Sequence, residues 1–583
     1  MRTHTCGELK KKDIKKKVIL CGWNHSRRDH GGVIFIDLRD RYGLTQIVFD
    51  PSNNKKSHSI AEHLSREDVL MAKGTVRFRG KNLINPKLLT GEIEVLVDEV
   101  EILNKSKTPP LEVDDNKVAG DDARLKYRYL DLRRPSMIAN LKLRNDFLIV
   151  AREYFNKHSF LEIQTPMLVK STPEGARDYV VPSRVSPGKF FALPQSPQLY
   201  KQILMIAGVD RYYQVPICLR DEDLRTDRQP EHTQMDFEMS FVTSDEIRAF
   251  TEGLYKHIFK KLLGKNLSTF PIFTYKEAME KFGTDKPDIR FDLFLHDVSD
   301  IVDKSDFQVF KQIHKDGGLI KCINPSNDFS RNELDKYIEF CQSNGAKGMS
   351  WMKVTDKGLE SNLAKFFSSK LQNELIKRTG AKKGSVLMFI ADKPKICNYI
   401  LSKLRFKLAE NLGLIKKDEF KFCWVKDFPL FSWNEDEDRW APEHHMFSMP
   451  KPEFINDFEK RPGEVIGNLW DLVLNGTELG SGSIRVNIPK VQERIMKFIG
   501  LDKKEAHEKF GFLLEAYEYG GPPHGGMGLG LDRSVALIAG TNDIREVIAF
   551  PKNKNAECPM DGSPSEISEI QLKELFINIR KKK

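Results

Sequence analysis

The sequence predicts a multidomain α+β protein with three parts. These are a small N-terminal β-barrel, a core on an antiparallel sheet, and an α+β module inserted into that core. Three observations carry this reading. The chain has 583 residues, whereas single hydrophobic cores stop growing near ~250–300. Five short apolar runs crowd Lys17 to Leu103 with no substantial helix between them. Arg211 to Phe241 reads as two antiparallel strands joined by a charged loop, and the signals change character between about Asp288 and Phe420.

Bulk composition is that of a globular protein, 40% hydrophobic and 30% charged. A formal net charge of +10 suits a polyanionic partner, although lysine runs are most often solvated surface. The eight cysteines (Cys6, Cys21, Cys218, Cys322, Cys341, Cys397, Cys423, Cys558) show no CxxC spacing, so neither a zinc site nor a disulfide framework is indicated. Reducing cytosol is the expected compartment. No stretch approaches the ~18 apolar residues of a membrane span, and a soluble cytoplasmic protein with no membrane partner is expected.

In the barrel, the runs VILCGWN, VIFIDLRD, TQIVFD, GTVRFRG and EIEVLVDEVEIL are separated by turn signals such as HGG and RYG. An OB-fold is the natural candidate, and such barrels stack single-stranded bases on aromatics in a basic groove. Arg27, Arg28, Phe35, Arg39 and Gln46 supply that chemistry, although Phe35 reads equally well as core. The polar connector NKSKTPPLEVDDNK then marks a boundary.

Met137 to His158 is a long amphipathic helix, followed by the strand-like FLEIQTP, which Pro166 stops. In LPQSPQLYKQ, Ser196 is a good N-cap and Pro197 suits the first helical position. Gln198 and Lys201 then share one helix face near its positive end. A neutral acceptor beside an ammonium there suits an amino acid carrying a second carboxylate.

From Thr233 to Phe241 the period is two, with Gln234, Asp236 and Glu238 on the polar face. Amides and carboxylates are poor strand formers, and beside Arg220 they look like the floor of a site for a charged ligand. In NLWDLVLNGTELGSGSIRVN, Asn475-Gly476 is a strong hairpin signal. A two-residue turn sets Val473 against Glu478 and Asp471 against Gly480, leaving Asp471 and Glu478 as diagonal neighbours able to share Mg²⁺. Glu478 and Arg485 are seven apart and would face opposite ways on a regular strand, so a bulge near Gly480 and Gly482 is expected. Gly526, Gly528 and Gly530 space as GxGxG with no GK[ST] following, which rejects both the dinucleotide and the P-loop motifs.

The run RDEDLRTDRQPEHTQMD resembles motif 2 of the class II aminoacyl-tRNA synthetases, in the bacterial-type aspartyl group of subclass IIb, and the likeness extends over nearly the whole chain. It implies an anticodon-binding OB-fold over 1–104, a hinge over 105–136 and a catalytic domain over 137–287 and 421–551. The inserted domain then covers 288–420 and a C-terminal extension 552–583. The implied activity is aspartate–tRNA ligation with ATP as substrate and Mg²⁺ as cofactor. The implied partners are L-aspartate, tRNA-Asp and a second copy of the chain, since the Met137 helix resembles the dimer-forming motif 1.

The resemblance also assigns roles. Aspartate falls to Glu174, Ser196, Gln198, Lys201, Arg220, Gln234, Asp236, His444, His445 and Arg485. ATP falls to Arg220, Asp221, Glu222, Gln229, Glu478, Gly530, Leu531, Asp532 and Arg533. Arg220, Glu222 and Arg533 are the implied catalytic residues, and Asp471 with Glu478 would hold the metal. In the barrel Phe35, Gln46, Arg27 and Arg28 would meet the anticodon. His30 is the kind of residue seen in members that also charge tRNA-Asn, whereas Asn82 is not, and the balance leans to the strict form. A sibling ligase for asparagine or lysine is the alternative, and a non-catalytic nucleic-acid-binding core is the other.

Overall fold

The computed structural model describes residues 1–172, 175–416 and 418–580. They form two compact units, each described by itself: Met1–Asn145 with Leu224–Gln229 and Asp543–Ile567, and Asp146–Asp223 with Pro230–Asn542 and Ser568–Lys583.

In the first unit, strands Lys17–His30, Val33–Asp40, Gly43–Phe49, Val69–Phe78 and Ile93–Asn104 close a barrel. Alternation sets its core: Ile34, Ile36 and Leu38 point in, as do Val18, Leu20 and Leu70. Phe35 points out, half-buried, so it is not core. A helix, Lys55–Glu62, sits between the third and fourth strands where the sequence suggested none. Its eight residues bury only Ser57 and Ala61, too little apolar signal to read, and Asn54 caps it by accepting the Ser57 N–H at 3.0 Å.

The second unit is organised by a nine-stranded sheet. Its order is Ile272–Thr274, Phe422–Lys426, Leu469–Leu474, Thr477–Ile484, His524–Gly530, Glu231–Ser240, Arg211–Gln214 and Leu161–Glu162, with Ile217–Leu219 paired to the start of Glu231–Ser240. All neighbours are antiparallel except the two end pairs. The run Tyr213 to Leu219, expected as one strand, is two short ones broken at Val215-Pro216, as a missing N–H requires.

Alternation along Glu231–Ser240 sends Met235 and Phe237 to the apolar face, where Phe237 lies 5.3 Å from the Phe250 ring of helix Ser244–Leu263. That helix carries a Thr243/Glu246 capping box. Gln234, Asp236 and Glu238 are left on the other face. A separate antiparallel sheet lies within the inserted stretch, in the order Leu295–Asp297, Leu319–Ile323, Val386–Asp392, Ser350–Thr355, Gly358–Glu360. Helices Arg331–Ser343 and Pro394–Asn411 contribute side chains to the core of that sheet.

Candidate active site

The polar face of the nine-stranded sheet is floored by absence. Gln234, Asp236 and Glu238 stand opposite Gly530, Gly528 and Gly526 on the next strand. A Cβ on Gly526 would lie 2.3 Å from Glu238 Oε2, and one on Gly528 3.0 Å from Gln234 Oε1. The GxGxG spacing therefore puts a bare backbone stripe beside three polar side chains.

Four buried charges sit over this stripe. Lys201 Nζ lies 2.6 Å from Asp236 Oδ1 and 3.3 Å from Glu238 Oε2. Arg485 donates Nε and Nη2 to the two Glu238 oxygens at 2.8 and 3.1 Å. Its remaining N–H groups meet Ser483 Oγ at 2.6 Å, His445 Nε2 at 2.9 Å and the Gly526 carbonyl at 3.2 Å. All five guanidinium donors thus have acceptors. Lys201, Arg485, Asp236 and Glu238 are each at most 2% exposed, and two cations balance two anions.

Burial pushes Glu238 up, but Arg485 and Lys201 outweigh it and hold the carboxyl at about 2. Asp236 rises to about 6, because burial there exceeds the pull of Lys201. Asp236 Oδ2 and Gln198 Nε2 are buried with no hydrogen-bond partner among the described residues. Orphaned polar atoms in a charged pocket call for a polar ligand. Glu238, which bridges both cations, reads in the sequence only as part of the polar floor beside Gln234 and Asp236, with no role of its own.

The neighbouring hairpin supplies a second carboxylate cluster. Its turn has Asn475 and Gly476 at φ 51° and 82°, as the sequence predicted. The expected register is corrected beyond Val473. Asp471 pairs with Ser481, not Gly480, because Leu472 pairs with Gly480 and Val473 with Glu478, leaving Leu479 as the extra residue of a bulge. That one residue brings Glu478, Ser481, Ser483 and Arg485 to one face. The bulge expected from the seven-residue spacing is present.

Ser481 Oγ lies 3.4 Å from Glu478 Oε1, and Lys286 Nζ 2.8 Å from Glu478 Oε2. Arg533 donates to the Glu478 carbonyl at 3.0 Å. Burial raises Asp471 to about 7, with Glu478 adding to the rise, and its Oδ1 has no hydrogen-bond partner among the described residues. Glu478 is held at about 2, since Lys286 and Arg533 overcome its burial. Two carboxylates of unequal proton affinity around an orphaned buried oxygen fit a hard divalent cation. Among the described residues no group of three or more such side chains gathers, so remaining coordination would come from the substrate.

The paired histidines diverge. His445 holds Arg485 and is kept neutral, its pKa driven down by burial and by that guanidinium. His444 lies 4.0 Å from Asp471 Oδ1 and packs on Phe428. His232, not singled out by the sequence reading, is pulled to about 3 by burial and by the charges of Arg220 and Arg533. Arg220 Nε reaches the Gln195 carbonyl at 3.4 Å.

Other candidates take more structural positions. Leu531 is fully buried, and Asp532, in the first turn of helix Leu531–Ile538, accepts the Thr233 N–H at 2.7 Å, tying that helix to the strand Glu231–Ser240. Ser196 is not the helix cap: Pro197 is, and Ser196 Oγ accepts the Gln198 N–H at 3.3 Å. Asp221 pairs with Arg177, and Glu222 is half-buried beside it. Gln229 belongs to the first unit, its amide bonded to the Lys552 backbone. Glu174 lies outside the described residues.

On the barrel, Phe35, Arg28, Asp37 and Gln46 share the outer face, with Arg28 Nη2 3.3 Å from Gln46 Oε1. Arg27 does not join them, because it pairs with the inward Ile36 and donates to the Ala61 carbonyl at 3.0 Å. His30 meets Phe35 edge-on at 6.0 Å, and Asn82 is exposed in the turn Lys81–Leu83.

Residues 120–554 match the family model of class II tRNA synthetases (D, K and N), and residues 18–103 match the OB-fold nucleic acid binding domain. The chain belongs to the class II tRNA synthetases. This synthetase is 49% identical to the aspartate–tRNA(Asp/Asn) ligase of Desulfatibacillum aliphaticivorans, with 100% of this chain and 98% of that one covered. It is 50% identical to the enzyme of that name from Caldanaerobacter subterraneus, covering 99% and 98%. Among solved structures, asparaginyl-tRNA synthetase from Pyrococcus horikoshii, complexed with asparaginyl-adenylate, has the same fold. Its TM-score is 0.59 at 19% identity, covering 94% of this synthetase and 97% of that chain.

Proposed function

We propose that the chain is an aspartate–tRNA ligase. The observation that carries this is the pocket of Lys201 and Arg485 beside the orphaned Asp236 Oδ2. An amino acid with a side-chain carboxylate brings a complement to each. Its ammonium goes to Asp236 Oδ2 and the Gln198 side-chain carbonyl, which accept; its side-chain oxygens go to the Lys201 ammonium and to Arg485, which donate. Arg485 meets them by exchanging a neutral acceptor such as Ser483 Oγ for a charged one, a stronger bond.

In the first step a substrate α-carboxylate oxygen attacks the α-phosphorus of ATP, and the bond to the β-phosphate breaks with release of pyrophosphate. The attacking group is already ionised, so positioning and charge stabilisation suffice. Arg220 would neutralise the α-phosphate, Glu222 contact adenine and Arg533 the distal phosphates. Asp471 and Glu478 would hold Mg²⁺, which when bound neutralises phosphate charge. The terminal ribose hydroxyl of tRNA then takes the aspartyl group and AMP leaves. Phe35 and Gln46 would read the anticodon.

The relatives' name, aspartate–tRNA(Asp/Asn) ligase, favours the relaxed form over the strict one that Asn82 suggested. A second copy of the chain would cover Leu161, 56% exposed on a two-residue edge strand, and Ile149, 58% exposed. No helix among the described residues is long and apolar enough to cross a membrane, and a cytoplasmic setting fits that.

Pyrophosphate exchange with aspartate, asparagine and lysine in parallel tests the reading. Exchange is expected to be by far the most efficient with aspartate, and exchange driven more efficiently by another amino acid overturns it. Absence of both exchange and ATP binding would point to a non-catalytic core. Charging purified tRNA-Asp and tRNA-Asn separately decides between the strict and relaxed forms.

A further inference from the structure

Beside the carboxylate pair stands a cation that the reaction scheme above leaves without a task. Lys286 lies off the sheet, on the segment between helix Tyr275–Phe282 and the inserted sheet. Its ammonium is 2.8 Å from Glu478 Oε2, with the side chain 38% exposed. Opposing charges, Glu478 first and Asp285 and Asp471 beyond it, more than offset partial burial and raise its pKa.

The segment carrying Lys286 is held in place. Arg290 clasps Asp288 through Nε at 3.0 Å and Nη2 at 2.6 Å. A Cβ built on Gly476 would lie 3.3 Å from Asp288 Cβ, so the segment rests on the hairpin turn. Both flanks are fixed by buried cations of the inserted module. Lys321 donates to the Met279 and Glu280 carbonyls at 2.9 and 3.1 Å. Arg405 donates to the Phe291, Asp292 and Leu293 carbonyls at 2.6 to 3.0 Å. The backbone that presents Lys286 is thus clamped, while its side chain keeps a flexible four-carbon stem.

A divalent cation reaching both carboxylates has to evict this ammonium from Glu478. Alone, it exchanges one favourable pairing for another and faces two like charges at close range. Arriving with nucleotide, it brings phosphate oxygens to which the displaced ammonium can turn. Arg533, the other cation near Glu478 at 4.0 Å, is the residue read as holding those phosphates. We propose that Lys286 is a positioning residue that serves as resident counter-ion of Glu478 and keeps divalent metal off the carboxylate pair until nucleotide arrives. This rests on reading Asp471 and Glu478 as the metal-holding pair.

The test is Mn²⁺ titration of the full chain without nucleotide, following the free-Mn²⁺ electron paramagnetic resonance signal. Melting temperatures monitor folding, which a half-exposed lysine should barely affect. Lys286→Met should bind Mn²⁺ at least about tenfold more tightly than wild type, and Lys286→Arg should stay near wild type. Adding Glu478→Gln to Lys286→Met should erase the gain. With α,β-methylene-ATP present, the advantage of Lys286→Met should shrink or reverse. Equal Mn²⁺ affinity in wild type and Lys286→Met overturns the role of Lys286 and leaves the carboxylate reading standing. A gain that survives Glu478→Gln overturns it too. Failure of both proteins to retain Mn²⁺ at millimolar concentration overturns both.

Discussion

Glu238 grips Arg485 with both carboxylate oxygens, Oε1 on Nε at 2.8 Å and Oε2 on Nη2 at 3.1 Å, while Oε2 also lies 3.3 Å from Lys201. One acid thus neutralises parts of both cations in the pocket proposed for the substrate. The pocket is assembled and electrically balanced before any ligand enters, so a ligand carboxylate competes for cations already spoken for.

Removing that acid should be costly. Glu238→Gln leaves two buried cations short of an anion, and a loss of about 3–5 kcal/mol is expected in denaturant unfolding. The pH dependence has a definite sign. The folded pKa of about 2 lies below the ordinary 4.5, so this carboxyl's contribution is fully present above about 4.5 and is lost as pH falls towards 2. Glu238→Gln should flatten the stability curve within that window and leave its shape at neutral pH unchanged.

Discrimination between aspartate and asparagine should depend on Lys201. The two substrates are nearly the same shape, and an ammonium can only donate. Lys201→Met should lower kcat/KM for aspartate by a factor on the order of 10²–10³, and for asparagine far less. An equal fall for both in pyrophosphate exchange would assign Lys201 to ATP or to the fold.

On the barrel, Phe35→Ala should weaken tRNA binding by ~1–3 kcal/mol, the worth of a lost base stack. Pyrophosphate exchange should be untouched. Because Ile34 and Ile36 fill the core and Phe35 faces outward, the melting temperature should stay close to wild type as well.

Two glycine substitutions should separate folding from ligand space. An alanine at Gly526 meets the Phe237 carbonyl at 2.0 Å and Glu238 Oε2 at 2.3 Å, so Gly526→Ala should destabilise by about 1–3 kcal/mol. At Gly528 the nearest atom is Gln234 Oε1 at 3.0 Å, a side chain that can move. Gly528→Ala should therefore fold, yet lose on the order of 10²-fold in kcat/KM as the methyl intrudes on the bare stripe. Thermal melts beside exchange kinetics check both.

Much of this was legible in the sequence, for identifiable reasons. Period-two alternation located the strand Glu231–Ser240 and its polar face, and the Asn475-Gly476 turn fixed the start of the hairpin. The spacing of Glu478 and Arg485 required a bulge but could not say where. Placing the extra residue at Leu479 moved Asp471 from Gly480 to Ser481, because bulge position depends on neighbouring strands. Glu238 was legible as part of the polar floor but not in its role, which lies in bridging Lys201 and Arg485, groups 37 and 247 positions away. Lys286 is hidden in the same way: nothing near it in the chain points to Glu478. Arg27 and Arg28 look equivalent as a pair, and only the direction of the strand tells them apart.

The stripe of glycines has a consequence for the molecule at rest. A strand with Gly525, Gly526, Gly528 and Gly530 among its seven residues has little side chain to pack and a high entropic cost of ordering, yet it runs through the middle of the largest sheet. At Gly525 and Gly526 neighbouring atoms already fill the space a side chain would take, and only towards Gly528 and Gly530 is that space left to whatever binds. Amide hydrogen exchange along His524–Gly530 should accordingly be fast for so central a strand and slow sharply when substrates are added. In that sense the substrates are the last-installed portion of the hydrophobic and polar interior, and the enzyme finishes folding each time it loads.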